Sequence, residues 1–126
     1  MIYGIGVDVL EPDRVVRLLE LYGERFARRV LTEQEWPAYQ RSRRPALFIA
    51  NRFAAKEAFS KAMGTGFRYP VTLGQIIVLQ NRLGKPELSF RPDLQRLVEA
   101  EGIVGWHVTI SDEKSLACAV VVLERR

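Results

Sequence analysis

Segment 46–63 constrains the fold of this chain more than any other feature. It contains neither proline nor glycine, the two residues that most disfavour a helix interior. It stops at Gly64-Thr65-Gly66, where glycine allows the left-handed conformation that commonly ends helices. Apolar residues occupy almost its whole circumference, which is typical of a helix buried on most sides. The segment therefore predicts a long central helix with the rest of the chain packed around it.

The remaining sequence predicts an order of strand, helices, hairpin, helix and hairpin. Strands are expected where β-branched and other apolar residues run together or alternate, at residues 2–10, 75–80, 85–90, 104–111 and 116–123. Shorter helices are expected at residues 12–22, 24–31 and 93–101, and one more begins at the capping box Thr32-Glu33-Gln34-Glu35. This order is typical of an α+β fold with a mainly antiparallel sheet packed against the long central helix. A length of 126 residues indicates a single domain, 1–126.

Composition narrows the class of protein. With 48% hydrophobic and 27% charged residues, the chain has a globular composition, which excludes disordered and fibrous proteins. The N-terminus lacks the features of a signal peptide, and no apolar run is long enough to cross a membrane. One cysteine and one histidine can form neither an internal disulfide nor a structural zinc site. We therefore expect a cytoplasmic protein with no membrane partner.

The basic residues are mostly arginine. Nineteen Lys and Arg against fifteen Asp and Glu give a formal net charge of +4, and five arginines against two acids lie between residues 14 and 29. The planar guanidinium group suits phosphates and carboxylates. This segment predicts either a solvated helix face or a surface for a nucleic acid, a phosphorylated ligand or an acidic protein.

Glu57 and Lys61 lie one turn apart on the long helix and are the first candidates for chemistry. They form either a weak surface ion pair or, because the rest of the helix is apolar, part of a site that a ligand can approach. Arg52 and Lys56 occupy the neighbouring face, also one turn apart. Asp8, at the end of the first strand, either caps the following helix or joins Glu57 to hold Mg²⁺, which prefers a few carboxylates completed by phosphate oxygens.

Several turns and loops have a simple structural interpretation. Gly4 and Gly6 permit a close approach of another backbone to the first strand. Residues 41–45 predict a basic loop, and Gly84-Lys85-Pro86 is most simply a hairpin turn.

The strand at residues 104–111 carries hydrogen-bonding side chains on one face. His107, Thr109 and Ser111 alternate with apolar residues, so they either line a ligand site or face solvent. Cys118 is most simply a buried core residue.

Taken together, these segments resemble the holo-acyl-carrier-protein synthase family of phosphopantetheinyl transferases. The likeness covers nearly the whole chain, and its central motif is the most specific. The motifs are, in order, Gly4-Ile5-Gly6-Val7-Asp8 with Glu11 and Arg14, then Arg52-Phe53-Ala54-Ala55-Lys56-Glu57-Ala58-Phe59-Ser60-Lys61-Ala62 before Gly64-Thr65-Gly66, then Gly84-Lys85-Pro86, and finally His107-Val108-Thr109-Ile110-Ser111. Many members have a histidine where this chain has Asp112, so no role of that histidine is carried over.

The resemblance implies transfer of 4′-phosphopantetheine from coenzyme A to a serine of apo acyl carrier protein, with release of 3′,5′-ADP, for fatty acid biosynthesis. It implies a Mg²⁺ cofactor bound by Asp8 and Glu57, and a Lys61 that binds the phosphate under attack or promotes deprotonation of the carrier serine. It also implies homotrimers with sites between neighbouring subunits. The residues that would bind the nucleotide are Arg52, Gly64, Thr65, Gly66, Gly84, Lys85, Pro86, His107 and Thr109.

The arginine-rich first helix is consistent with an acidic carrier protein as partner. The resemblance implies that Arg14 faces the carrier. Helical spacing extends this surface to Arg17 and Leu21. Arg25 and Arg28 of the next helical segment extend the basic patch further.

Two other functions remain as alternatives at this point. A nucleic-acid-binding module would need exposed aromatic residues interleaved with basic ones, whereas Phe48, Phe53 and Phe59 lie on the central helix, where packing explains them more simply. A non-catalytic coenzyme A-binding protein is disfavoured by the complete set of Asp8, Glu57 and Lys61. The identity of the proton acceptor is also open.

Overall fold

The computed structural model describes all 126 residues and contains five strands and five helices. In chain order they are β1 (Ile2–Leu10), α1 (Pro12–Tyr22), α2 (Glu24–Val30), α3 (Trp36–Arg41), α4 (Pro45–Met63), β2 (Ile76–Gln80), β3 (Pro86–Phe90), α5 (Pro92–Ala100), β4 (Ile103–Asp112) and β5 (Ala117–Arg125). The α+β fold with a long central helix is confirmed. All predicted elements are present, with ends shifted by no more than two residues except in α3.

Helix α3 begins at Trp36 rather than at Thr32. Glu35 does accept a hydrogen bond from the backbone N–H of Thr32 at 2.7 Å, as in the predicted capping box. The Thr32 hydroxyl, however, donates to the same carboxylate at 3.0 Å. The Glu35 carboxylate is fully buried and also bonds to other elements. The segment before α3 is therefore a turn that places Glu35 in the protein interior.

The strands form a three-stranded antiparallel sheet in the order β1-β5-β4 and a separate β2-β3 hairpin. Val120 of the central strand lies between Val7 of β1 and Thr109 of β4. The indole N–H of Trp106 donates to the carbonyl of Leu88 at 3.0 Å and joins the hairpin to the sheet.

Helix α4 packs directly on β1 because the strand has glycine where the two backbones approach. A Cβ atom at Gly4 or Gly6 would collide with the carbonyl oxygen of Ala62 or Ala58. The close approach predicted for these glycines is therefore confirmed, and it fixes the position of β1 against the central helix.

The core consists of two clusters on either side of α4. One lies between α4, the sheets and α5, and includes Phe59 and Val98. The other lies between α4 and α1–α3, and includes Val15 and Val30. The prediction that Cys118 is a core residue is wrong: alternation along β5 points it to the outer sheet face, where it is half-buried.

None of the five helices is both long and apolar enough to span a membrane.

Candidate active site

Asp8, Glu57 and Lys61 meet at the mouth of a cleft between β1, α1 and α4. The Lys61 ammonium donates to the Asp8 carboxylate and to the carbonyl of Val7, both at 3.1 Å. Glu57 and Asp8 line the same cavity, which has a volume of about 370 Å³. The lysine side chain is 52% exposed and that of Asp8 is 16% exposed, so a ligand can reach these groups from solvent. The close packing of β1 on α4 brings the three together.

The Asp8 and Glu57 carboxylates interact electrostatically. Burial, and after it the negative charge of Asp8, raises the pKa of Glu57, and the Lys61 ammonium opposes this effect. Two converging carboxylates of this kind favour a cation between them.

The donor set suits Mg²⁺ in particular. No group of three or more His, Cys, Asp or Glu side chains is arranged to hold a metal, so the chain supplies only the two carboxylates. Mg²⁺ is commonly held by one or two carboxylates, with water and substrate phosphate oxygens as its other ligands. Asp8 and Glu57 therefore fit Mg²⁺ that shares its coordination with a phosphorylated substrate.

The Gly64-Thr65-Gly66 turn lies next to the cleft, one turn beyond Lys61. Gly64 and Gly66 have φ of 80° and 63°, which favours glycine at both positions. The Gly64 N–H donates to the Lys61 carbonyl at 3.0 Å. The predicted nucleotide-binding turn and the predicted catalytic lysine are thus neighbours at the end of α4.

The cleft continues into an apolar groove with a basic rim. A second cavity, about 500 Å³, shares Leu18, Phe26 and Phe53 with the cleft. Arg14 lines the first cavity and Arg25 the second. We call this joined depression the α1–α2 groove. It is lined by Asp8, Val9, Leu10, Arg14, Val15, Leu18, Tyr22, Arg25, Phe26, Arg29, Val30, Phe53, Glu57 and Leu73.

The predicted carrier-binding residues differ in whether their side chains already contact other residues of the chain. Arg14, Arg17, Leu21 and Arg25 are exposed on α1 and α2. Arg28 is exposed too, but its guanidinium is 3.2 Å from Glu24 and 3.9 Å from the ring centroid of Trp36. Arg28 is therefore already engaged within the protein.

Arg52 does not reach the cleft. It is buried on another face of α4, with its Nε 3.8 Å from the Glu35 carboxylate. Burial lowers the pKa of Arg52, and Glu35 opposes this effect. Its Nε and the Oδ1 of Asn51 are both buried without a hydrogen-bond partner.

A small basic pocket surrounds Arg52. It has a volume of about 280 Å³ and lies beside the β2-β3 turn through Gln80. Two further arginines, Arg43 and Arg44, line it. Sequence reasoning recognised the basic loop 41–45 but gave it no role, because nothing in the sequence shows that Arg52 packs beneath it.

Asp112, which follows the last motif, has a structural partner. Its carboxylate accepts a hydrogen bond from the Asn51 side chain at 3.0 Å. This bond ties the end of β4 to α4.

The Gly84-Lys85-Pro86 segment forms the tip of the hairpin. Gly84 has φ of 85°, and the Asn81 side chain accepts from the backbone N–H of Leu83 and Lys85 at 2.8 and 3.1 Å. The hairpin turn expected from the sequence is confirmed. Lys85 is exposed at its tip.

His107 and Thr109 lie on the sheet face opposite to that of Asp8. Residues Gly4, Gly6 and Asp8 alternate toward α4, whereas His107 and Thr109 are exposed on the outer face, two strands away. His107 Nε2 is 2.5 Å from the Glu124 carboxylate. A single copy of the chain therefore does not bring the predicted nucleotide-binding residues of β4 to the carboxylate cleft.

The same outer face is apolar along its other strands. Ile5, Val7 and Val9 of β1 are 63%, 51% and 54% exposed, and Val120 and Val122 beside them are half-buried. Exposed apolar area of this kind is typical of an interaction surface.

Residues 4–121 match the model of the 4′-phosphopantetheinyl transferase superfamily. The holo-[acyl-carrier-protein] synthase of Nitrosospira multiformis is 59% identical over 125 residues, which cover 99% of this chain and 100% of that protein.

Solved structures give the same result. The holo-[acyl-carrier-protein] synthase of Neisseria meningitidis has a TM-score of 0.96 and 42% identity, covering 99% of this chain and 100% of that one. A holo-(acyl-carrier-protein) synthase from Bacillus anthracis, solved in complex with CoA (3′,5′-ADP), has a TM-score of 0.83 and 38% identity, covering 100% and 99%. The resemblance predicted from the motifs is confirmed.

Proposed function

We propose, since this chain belongs to the 4′-phosphopantetheinyl transferase superfamily, that it transfers 4′-phosphopantetheine from coenzyme A to a serine of apo acyl carrier protein. The chain is a phosphopantetheinyl transferase of the holo-[acyl-carrier-protein] synthase type. The observation that carries the proposal is the convergence of Asp8, Glu57 and Lys61 at the mouth of an open cleft. The location of the protein in the cytoplasm and its role in fatty acid biosynthesis stay predictions.

In the proposed reaction the carrier serine oxygen attacks the phosphorus that bears the pantetheine arm. The bond from that phosphorus to the bridging oxygen breaks, 3′,5′-ADP leaves, and the serine proton is taken up by a base. Mg²⁺ held by Asp8 and Glu57 would supply neutralisation of the pyrophosphate charge. Lys61, half exposed beside Asp8, would bind the oxygens of the phosphorus under attack. Transfer of this kind depends mainly on positioning and charge neutralisation.

The proton acceptor is one of the acidic groups at the cleft or a water beside them. Glu57 is a candidate because it lines the cleft beside Asp8, within reach of a substrate that enters there.

The nucleotide half of coenzyme A would bind a neighbouring copy of the chain. The support is geometrical: His107 and Thr109 lie on the sheet face opposite to Asp8, so one copy cannot use both groups on one ligand. The basic pocket around Arg52 offers two exposed guanidinium groups, Arg43 and Arg44, for a phosphate. Lys85 at the hairpin tip would contribute another cation.

The proposed assembly is a homotrimer with one site at each junction between copies. The exposed apolar residues Ile5, Val7 and Val9 lie next to His107 and Thr109 on the outer sheet face. Burying this face against another copy would remove apolar surface from water and complete the nucleotide site in one step.

Intact-mass spectrometry tests the reaction. Apo acyl carrier protein incubated with this protein, coenzyme A and Mg²⁺ should gain the mass of one phosphopantetheine group, and EDTA should abolish the gain. No gain with several apo carriers would refute the proposed transfer.

A further inference from the structure

We propose that buried Lys56 and Glu35 are positioning residues that hold the walls of the α1–α2 groove at the spacing the carrier protein requires. We take the carrier protein as the occupant of the groove because Arg14 and Arg25, two of the predicted carrier-binding residues, line it; the inference rests on the proposed function in that respect only. Neither residue lines the cleft, and the sequence assigned neither a role in binding or catalysis.

Lys56 joins three separate parts of the chain to α4. Its side chain is fully buried, and its ammonium donates to the Glu35 carboxylate and the Val30 carbonyl at 2.7 Å and to the Leu73 carbonyl at 3.0 Å. These three bonds use all of its donors. Burial lowers the pKa of Lys56, whereas Glu35 favours the charged form.

Glu35 extends the connection to the hairpin. Besides Lys56 and Thr32, it accepts from the backbone N–H of Val78 at 3.2 Å. The pair therefore links the end of α2, the turn before α3, the loop at residue 73 and strand β2 to one point on α4.

Two of these attachment points form part of the groove. Val30 and Leu73, whose carbonyls bind Lys56, both line its second half, and Phe26 of α2 lines both halves. Apolar packing also joins α2 to α4, but Lys56 is the charged side chain that bonds both backbone segments at this point. The groove width therefore depends in part on Lys56.

The carboxylate cleft is held by different contacts. Asp8 and Glu57 are brought together by Gly4 and Gly6 packing against the α4 backbone. Loss of the Lys56 ammonium would thus loosen the second half of the groove, which Val30 and Leu73 line, and leave Asp8 and Glu57 in place.

Lys56→Met is the most informative substitution because Glu35 keeps other partners. Arg52 remains 3.8 Å away, and Thr32 and Val78 still donate to it. The matched control is Val98→Ala, which lowers stability by creating a cavity in the core cluster between α4, the sheets and α5.

Steady-state transfer assays and amide hydrogen exchange are measured for both variants at a temperature where each remains folded. For Lys56→Met we expect the KM for carrier protein to rise by about tenfold, as small displacements of a positioning wall can do, with the KM for coenzyme A unchanged. We also expect amide hydrogen exchange to become faster than in wild type, and more so in α2 than in α4. Val98→Ala should lower the melting temperature without either effect.

The inference is overturned if Lys56→Met leaves the carrier KM and the exchange of α2 unchanged, or if Val98→Ala raises the carrier KM equally. A wild-type protein that modifies no carrier refutes the proposed function instead, and α2 exchange then decides whether Lys56 positions the groove. Should Lys56→Met fail to fold, Glu35→Gln, which has nearly the same size, is tested in its place.

Discussion

Helix α4 contributes residues to two acid–lysine groups that lie in different environments. Lys56 pairs with Glu35 in the protein interior, where both side chains are fully buried. The next residue, Glu57, faces an open cleft with Lys61 and Asp8. Adjacent residues of one helix thus belong to a closed structural cluster and to an accessible site.

The difference lies in which hydrogen-bond donors and charges are already used. The Lys56 ammonium has three protein acceptors, so it has no bond left for a ligand. Burial and the charge of Asp8 raise the pKa of Glu57, and the Lys61 ammonium only opposes this effect. A charged group that is not neutralised by the protein and can be reached from solvent is a candidate for chemistry.

Removing either cleft carboxylate is the strongest test of the difference between the accessible site and the buried cluster. Glu57→Ala or Asp8→Ala should nearly abolish transfer, by roughly a thousandfold or more, because preorganised charge at the reacting phosphate is lost. Single-turnover mass spectrometry measures the loss, with the melting temperature as control for folding. Full activity of either variant would remove the proposed metal site.

Removing the acid of the buried cluster should lower the stability of the fold. Glu35→Ala leaves Lys56 and Arg52 without their counter-charge, and breaking a buried pair in this way costs about 3–5 kcal/mol. Urea denaturation measures the change, and Glu24→Ala, which breaks the exposed pair with Arg28, is the matched control with little expected effect. Equal losses in the two variants would contradict the distinction between buried and exposed pairs.

Lys61→Ala should reduce kcat more than it weakens coenzyme A binding. A cation that stabilises the phosphate mainly during attack contributes on the order of a hundredfold to rate. Initial rates over a range of coenzyme A concentrations separate kcat from KM. A raised KM with unchanged kcat would make Lys61 a binding residue.

The raised pKa of Glu57 predicts a pH dependence of stability. Because the folded-state pKa lies above the unfolded value, the folded protein favours the protonated acid, and this contribution is lost as pH rises through the raised pKa. Glu57→Gln should therefore melt at a higher temperature than wild type at neutral pH, and the gap should close below the ordinary glutamate range. Thermal melts from pH 4 to 8 would show this, and Mg²⁺ should stabilise wild type but not the variant.

The smallest effect on activity is expected from substitutions at the basic rim of the groove. Arg14→Glu should raise the KM for carrier by several-fold and leave the KM for coenzyme A unchanged, with a larger effect at low salt. Arg28→Glu should raise the KM for carrier less, because Arg28 already contacts Glu24 and Trp36. A stronger effect at Arg28 than at Arg14 would move the carrier surface toward α3.

Much of the fold was predictable because its signals are local. The uninterrupted segment 46–63 predicted α4, and helical spacing placed Glu57 one turn from Lys61. The glycines of β1 indicated a close backbone approach to that strand, although not which element makes it. Each inference used only neighbours along the chain or one periodicity.

The buried ion cluster was not predictable in the same way. Glu35 matches a capping box, which normally lies at the surface, and a helix that is apolar all round offers no polar face to reveal that Lys56 points inward. The separation of Asp8 from His107 by the sheet also depends on strand order, which the motifs do not contain. Long-range pairing, rather than residue type, decides both features.

The glycines of β1 have a consequence for which ion the proposed metal site would accept. Asp8 and Glu57 come from distant parts of the chain, and the gap between their carboxylates is determined by how closely β1 lies on Ala58 and Ala62. A methyl group at Gly6 would push the strand outward and widen that gap. Since Mg²⁺ requires oxygen ligands at about 2.0–2.1 Å and Ca²⁺ accepts about 2.3–2.6 Å, two residues that contact no metal would control selectivity by ionic radius.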